Sequence, residues 1–394
     1  MSVTQVRLGA PKPTVTETPP AVLDPNGPRV VLGGVDPLQG SVAPSASALF
    51  GPRAATLLGD HGPLWIADTG HHRLLGYPDR PKRDNEAAAW VLGQPDFESE
   101  GRNALGPASA LTMNVPVGVI AWPGGGLAVA DSWNNRVLVW KRAPESSGVP
   151  ADFVLGQLDF EGQEPNHGGR SARADSMHWP FALLVYRDRL YVADAGNRRI
   201  LGWRSLPVRS GQPADFVLGQ SDLDQRSDNG GEETGPHGMR WPHALTVVGE
   251  CLAMSDAGNN RILVWDGVPD CSRVAATTLV GQPDFLHSDH NRGAYWPDAS
   301  ALNMPYGMAS DGESLFISDT ANSRILRFDP PFSASSGATA LTGQVGFDRK
   351  GDNRWNMPVR DSLCWPYGIS LSGSVAVVAD TGNHRIALWD IARS

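Results

Sequence analysis

The chain has little cysteine, three residues in 394, at Cys251, Cys271 and Cys364. Three thiols cannot all pair within one chain, which excludes a framework of several disulfides, and a reduced, cytoplasmic setting is expected. Long hydrophobic runs are missing as well. No stretch reaches the roughly 20 apolar residues of a membrane-spanning helix, and residues 1–28, which hold six prolines, contain no signal-peptide core. Basic excess is lacking: 33 Lys and Arg stand against 42 Asp and Glu, a net charge of −9. That balance disfavours a surface for a phosphate backbone. Signatures of catalysis are absent too. There is no Gly-x-Ser-x-Gly elbow and no Gly-Lys-(Ser/Thr) phosphate loop, and Cys364, beside Trp365 and Pro366, has no histidine near it in sequence.

What the chain does have is repetition. The pattern Asp-x-x-(Asn/His)-x-Arg occurs six times, starting at Asp68, Asp131, Asp194, Asp256, Asp319 and Asp380, with separations of 63, 63, 62, 63 and 61 residues. So regular a period means one structural unit built six times. Each copy lies between apolar runs such as 64–67 and 200–203, which predicts strand, tight turn, strand. The runs are apolar on nearly every residue, as expected of strands covered on both faces.

Two further landmarks keep the period. Gly-Gln ends an apolar segment at 93–94, 156–157, 219–220, 281–282 and 343–344, with Gly33-Gly34 as a degenerate first copy. A proline recurs at Pro52, Pro116, Pro180, Pro242, Pro305 and Pro366, leaving room for one more strand before each motif Asp. The unit is then a four-stranded antiparallel sheet, and six of them make an all-β, six-bladed β-propeller. The apolar segment at 30–33 precedes every other strand, while the chain stops soon after a third-strand segment at 385–389. An N-terminal strand is therefore expected to complete the last blade and cover its edge. The expected organisation is a flexible Pro-rich extension over 1–28 and one propeller domain over 29–394, as a monomer.

The segments 67–74, 255–262 and 379–386, among them Ala379-Asp380-Thr381-Gly382-Asn383-His384-Arg385-Ile386, resemble the NHL repeat. The resemblance covers roughly residues 30 to 390. It departs from that repeat in length, since a propeller blade ordinarily takes about 40 to 45 residues. The excess sits between Gly-Gln and the proline. NHL proteins with long repeats of this Gly-Gln-Pro-Asp-Phe style are similar to bacterial accessory proteins, some associated with nickel-iron hydrogenases. The resemblance thus implies a bacterial interaction or assembly scaffold for a redox enzyme. Related propeller enzymes, amidating lyases among them, hold a divalent metal near the axis through histidines, which implies a hydrolase or lyase as the alternative. Some NHL propellers bind single-stranded RNA, the third reading.

The repeated residues themselves suggest structure. In each turn the Asp (68, 131, 194, 256, 319, 380) can accept turn amides and the Arg (Arg73, Arg136, Arg199, Arg261, Arg324, Arg385) can return to it. If exposed, such a pair contributes only about 0–1 kcal/mol. The Asn or His is expected to occupy a left-handed position. Aromatics four residues after each Arg (Tyr77, Trp140, Trp203, Trp265, Phe328, Trp389) are expected between blades.

The excess residues form loops at about 95–115, 158–179, 221–241, 283–304 and 345–365, all on the face that carries the motif turns. They hold 18 acidic and 10 basic residues, with Arg349, Lys350, Arg354 and Arg360 making the last one locally basic. Asn103, Asn166, Asn229, Asn291 and Asn353, each nine residues after a Gln, and Asp96, Asp159, Asp222 and Asp284 could ligate calcium, but are expected to make turns. Trp133 stands where other copies carry a small residue; with Tyr295, Trp296 and Trp355 it is a candidate partner contact. Trp179, Trp241 and Trp365, each before a repeated proline, are expected to be packing residues. One residue after that proline, nearest the axis, come Arg53, Val117, Phe181, His243, Tyr306 and Tyr367. His243, with His178 as an assistant, is the candidate axial or metal residue. A metal site generally needs three or four protein ligands, and no complete set is legible, so no cofactor is expected.

Overall fold

The computed structural model describes residues 18–34 and 43–392. Six four-stranded antiparallel sheets form a closed ring, one per repeat. Blade 1 has strands Ala54–Leu57, Leu64–Asp68, Arg73–Tyr77 and Trp90–Leu92, innermost first. The innermost strands of blades 2 to 6 are Pro116–Trp122, Pro180–Tyr186, Pro242–Val248, Pro305–Ser310 and Pro366–Ser372. Blade 6 is completed by Val30–Gly33, which pairs antiparallel with Arg385–Asp390, Val30 opposite Leu388 and Gly33 opposite Arg385. The outer strand of the last blade thus comes from the N-terminal part of the chain, so that Arg385–Asp390 is not left as an open edge.

The second and third strands are buried along their whole length in blades 1 and 2, and in the other blades at all but one residue of a strand at most, as the unbroken apolar runs predicted. Their side chains fill the space between neighbouring sheets. Trp140, Trp203, Trp265 and Trp389 are almost wholly buried, and the first three place an indole N–H on the carbonyls of Val149, Gln212 and Val274.

Residues 20–28, read from sequence as part of a flexible extension, lie packed on the ring. Leu341 N–H donates to Pro20 O, Leu23 forms an antiparallel bridge with Ile391, and Val22 and Leu23 are buried. Two buried apolar side chains and backbone hydrogen bonds to Leu341 and Asp390 hold this polar, Pro-rich stretch across blades 5 and 6. Residues 1–17 of the expected extension lie outside the described residues.

The repeated Asp and Arg are also more deeply placed than a surface turn. All six Asp and five of the six Arg are fully closed to solvent, with Arg385 nearly so. In each copy the Arg Nε donates to the Asp Oδ2 at 2.7–2.8 Å. The Asp Oδ1 accepts a backbone N–H from the residue two before the repeated proline, as from Asn114 to Asp131 at 2.7 Å. Arg136 also donates to the carbonyls of Phe160, Ser109 and Thr112, so one guanidinium fastens loops from both sides of the blade. Burial pushes the carboxyls of Asp131, Asp256, Asp319 and Asp380 up, against the pull of the guanidinium and amide donors. The left-handed residue is one place later than expected, at His72, Asn135, Arg198, Asn260, Ser323 and His384. The Asn before it is needed elsewhere: its side-chain amide donates to the Asp, as Asn134 does to Asp131 at 2.7 Å.

That left-handed residue reaches the next blade. The amide N–H groups of Val115, Trp179, Met304, Trp365 and Gly51 donate to His72, Asn135, Asn260, Ser323 and His384 respectively, the last across the ring closure. Arg198 has no acceptor atom in its side chain, so the latch from blade 3 to the Trp241 N–H is missing. Replacing Arg198 with Asn supplies an acceptor and a residue that tolerates φ of 54°. It gives up the partly exposed ion pair with Asp228. We expect a net gain of about 0.5–1 kcal/mol, read as a higher urea midpoint with unchanged slope; a lower midpoint would show that the sixth latch cannot form.

Candidate functional site

Two regions of the ring carry exposed chemistry: the face with the long loops, and the axis. On the loop face each insertion is tied down by its own periodic residues. Gln94 donates its side-chain amide to the carbonyls of His71, His72 and Gly101, and the other Gln residues repeat the arrangement. Asn103 and Asn134 exchange reciprocal amide hydrogen bonds at 2.8 and 3.2 Å, as do Asn166 and Asn197, Asn291 and Asn322, and Asn353 and Asn383. Asp96, Asp159 and Asp284 each accept two amide N–H bonds within three residues, which is turn chemistry. The loops are therefore folded parts of the scaffold.

Apolar side chains stand out from this face. Trp133, Tyr295 and Trp355 are 55%, 53% and 63% exposed. Tyr295 and Trp296 meet edge to face at 5.0 Å, and Lys350 from the following loop lies 3.8 Å from the Tyr295 ring centroid. Trp355 belongs to the same loop as Lys350, above Gly351, where a Cβ would meet the indole. Trp133 is at the motif turn of blade 2, across the ring from blade 5. The four aromatics thus form two patches.

Trp179, Trp241 and Trp365 depart from the packing expectation. They are 45%, 38% and 41% exposed and adopt left-handed backbone with φ of 49–56°, as do Val115 and Met304 at the equivalent places. A bulky residue in that region, immediately before proline, costs on the order of 1–3 kcal/mol. The geometry follows from the turn below it: the Asp carboxylate takes the preceding amide, and the proline must still pair opposite the Asp. Sequence gave no sign of this strain, because nothing short of the closed Asp-centred network forces it.

The same constraint builds the axis. In blades 3 to 6 the proline pairs opposite the motif Asp, and the residue two later pairs opposite the one before the Asp. The residue between, Phe181, His243, Tyr306 or Tyr367, is a bulge that points out of the ladder. With Arg53 and Val117 these residues line an axial cavity of about 270 Å³, as the periodicity suggested. Gly118 and Gly368 allow the innermost strands to close up, since a Cβ on either would strike the carbonyl of Phe181 or of Arg53 in the next blade.

His243 is stacked between Phe181 at 4.3 Å and Tyr306 at 4.4 Å, and Tyr306 meets Tyr367 at 4.5 Å. Its Nδ1 lies 2.8 Å from Trp241 O, which places the proton on Nδ1. Burial, with the Arg53 charge adding to it, holds the imidazole down at about 4, so it is neutral near pH 7. His178 sits elsewhere: its amide bonds Asp194, its ring lies against Trp179, and Gly196 packs beneath it. Its partners are not those of His243. Among the described residues no three His, Cys, Asp or Glu side chains converge to hold a metal. One imidazole with one available nitrogen does not fit the ligand set that related lyases imply. Cys364, beside Gly382, has its thiol pushed up to about 12 by burial and by Asp352 and Asp380, the reverse of an activated nucleophile.

No family model matches the chain. NHL repeat-containing protein 2 of Homo sapiens is 26% identical over 359 residues, covering 83% of this chain. The chain is a six-bladed β-propeller similar over most of its length to this NHL-repeat protein. The bovine form of that relative is likewise 26% identical, over 363 residues. In both cases the chain spans only 45% of the relative's length. Solved structures that resemble it include hydrazine synthase of Kuenenia stuttgartiensis, with TM-score 0.49, 14% identity and coverage of 90% of this chain and 99% of that one. A virginiamycin B lyase variant from Staphylococcus aureus with quinupristin gives TM-score 0.46 at 11% identity, covering 93% and 95%. At that level neither carries functional weight. No helix among the described residues is long and apolar enough to cross a membrane.

Proposed function

We propose that the protein is a non-catalytic interaction or assembly scaffold, working in the cytoplasm, that holds a protein partner on the face of the long inter-blade loops. The observation that carries this reading is the exposure of Trp133, Tyr295 and Trp355 on loops already fastened by buried Gln, Asn and Arg side chains. Large aromatics on a preorganised surface bind with little ordering cost. The excess of acidic residues on these loops argues against RNA on the same face. The resemblance of the repeats offers a bacterial redox enzyme, a hydrogenase among them, as the partner class.

The test is capture of such an enzyme by wild-type protein, Trp133→Ala, Trp355→Ala and Val208→Ala. Val208 is 69% exposed between the third and outermost strands of blade 3, on the opposite face. Each tryptophan variant is expected to keep its stability within about 0.5 kcal/mol and to weaken capture on the order of 30-fold, a hot-spot loss of ~2 kcal/mol. Val208→Ala should capture as wild type does. Equal capture by all four would remove the loop face as the docking surface.

A further inference from the structure

Arg53 is the only formally charged side chain among the residues that line the axial cavity, and no Asp or Glu lines it. This is unusual for a chain of net charge −9. It also contrasts with the motif arginines, each of which has a carboxylate and at least two carbonyls as partners. The Arg53 guanidinium lies 4.7 Å from the Tyr367 ring centroid, and no carboxylate of the described residues pairs with it. A cation–π contact covers one face of the guanidinium and leaves its in-plane donors open. A partly enclosed cation with no counter-charge is a site for an anion, and the planar fork suits a carboxylate.

The walls narrow the choice of anion. Phe181, His243, Tyr306 and Tyr367 follow one another around the axis with ring centroids 4.3–4.5 Å apart, an arc of aromatic surface beginning beside Arg53. Val117 completes the circle. Further along the innermost strands the cavity is lined by Ala54, Ile120 and the hydroxyl side chains of Thr56, Thr246 and Ser310. The cavity, about 270 Å³, is just below the ~300–1,000 Å³ of sites for drug-sized ligands and suits one ring with one acidic group. With its proton on Nδ1, His243 can accept a hydrogen bond at Nε2 from a hydroxyl carried by that ring.

We infer that the axial cavity binds a small aromatic carboxylate, Arg53 holding the carboxylate while Phe181, His243, Tyr306 and Tyr367 pack against its ring. This site is separate from the loop-face aromatics, so it stands or falls independently of a docked partner. An inorganic anion meets only the Arg53 half of the site, and a neutral aromatic only the other half.

The experiment is calorimetric titration of the full chain with benzoate, 4-hydroxybenzoate, benzamide and inorganic phosphate. The Hε1 resonance of His243 is followed in parallel. Benzoate or 4-hydroxybenzoate is expected to bind one per chain with a submillimolar Kd and to shift the His243 signal by ring current. Benzamide and phosphate should each bind at least 10-fold more weakly. Arg53→Met should weaken the aromatic acid at least 30-fold, and Arg53→Lys, which keeps the charge without the fork, should fall between. If Arg53→Met fails to fold, Tyr306→Leu takes its place and should weaken benzoate at least 10-fold while sparing the weak phosphate binding. The inference is overturned if neither acid saturates by 10 mM, if phosphate binds as well as benzoate, or if the His243 signal does not move.

Discussion

Replacing Asp319 with Ala is expected to destabilise the fold by about 3–5 kcal/mol, the cost of breaking a buried ion pair from one side. The carboxylate accepts Arg324 Nε at 2.7 Å, the Asn322 amide at 2.8 Å and the Asn303 backbone N–H at 2.7 Å. Its removal leaves a guanidinium closed to solvent, still held by the carbonyls of Phe347, Asp298 and Ala301 but without a counter-charge. For a chain of this size the loss corresponds to a fall in Tm on the order of 5 °C. Had the pair been exposed, the change would be within about 1 kcal/mol, so thermal unfolding decides between the two placements.

Arg324→Met should behave differently with pH. Burial already pushes the Asp319 carboxyl up, and Arg324 is the largest influence pulling it down. Without Arg324 its folded value lies further above its unfolded one. The folded state then holds the extra proton, and stability is gained as pH falls through the folded value. The deficit of Arg324→Met against wild type should shrink between pH 7 and 5. The deficit of Asp319→Ala, which has no such carboxyl, should not shrink in the same way. Parallel deficits for both variants would mean that the carboxyl is not desolvated.

Deleting residues 1–33 is expected to abolish the stable monomer. The deletion removes the strand Val30–Gly33 and the bridge from Leu23 to Ile391, with the buried side chains of Val22, Leu23, Val30 and Leu32. At ~1.5–3 kcal/mol for each such side chain, the loss is comparable to the whole stability of an ordinary domain, about 5–15 kcal/mol. It also bares the pairing edge of Arg385–Asp390, a template for association. The clasp has a second fastening: Arg360 donates to the carbonyls of Pro28 and Arg29 and to Asp84, which accepts the Val31 N–H. Size exclusion with circular dichroism should find the truncated chain aggregated or unfolded, and a peptide of residues 18–34 added in trans should restore the monomer. A truncated monomer melting within about 3 °C of the full chain would show the closing strand to be dispensable.

The six-fold period, the four strands per unit and the closure by residues 30–33 were all legible in the sequence. Each follows from local signals repeated six times: apolar runs, turn residues and proline at fixed offsets. The axial ring could be located for the same reason, because a residue next to a landmark inherits the landmark's place in every blade. What the sequence could not give was depth and direction. The Asp and Arg are written identically whether a turn is wet or buried, and only the insertions folding back over the turns close them from solvent. The left-handed, half-exposed tryptophans before proline arise from a conflict between the Asp-centred network and the strand register, which exists only once both have formed. The solitary charge of Arg53 is likewise invisible along the chain, where acidic residues abound. It is the ring closure that brings six innermost strands together and leaves Arg53 facing aromatic side chains with no carboxylate among them.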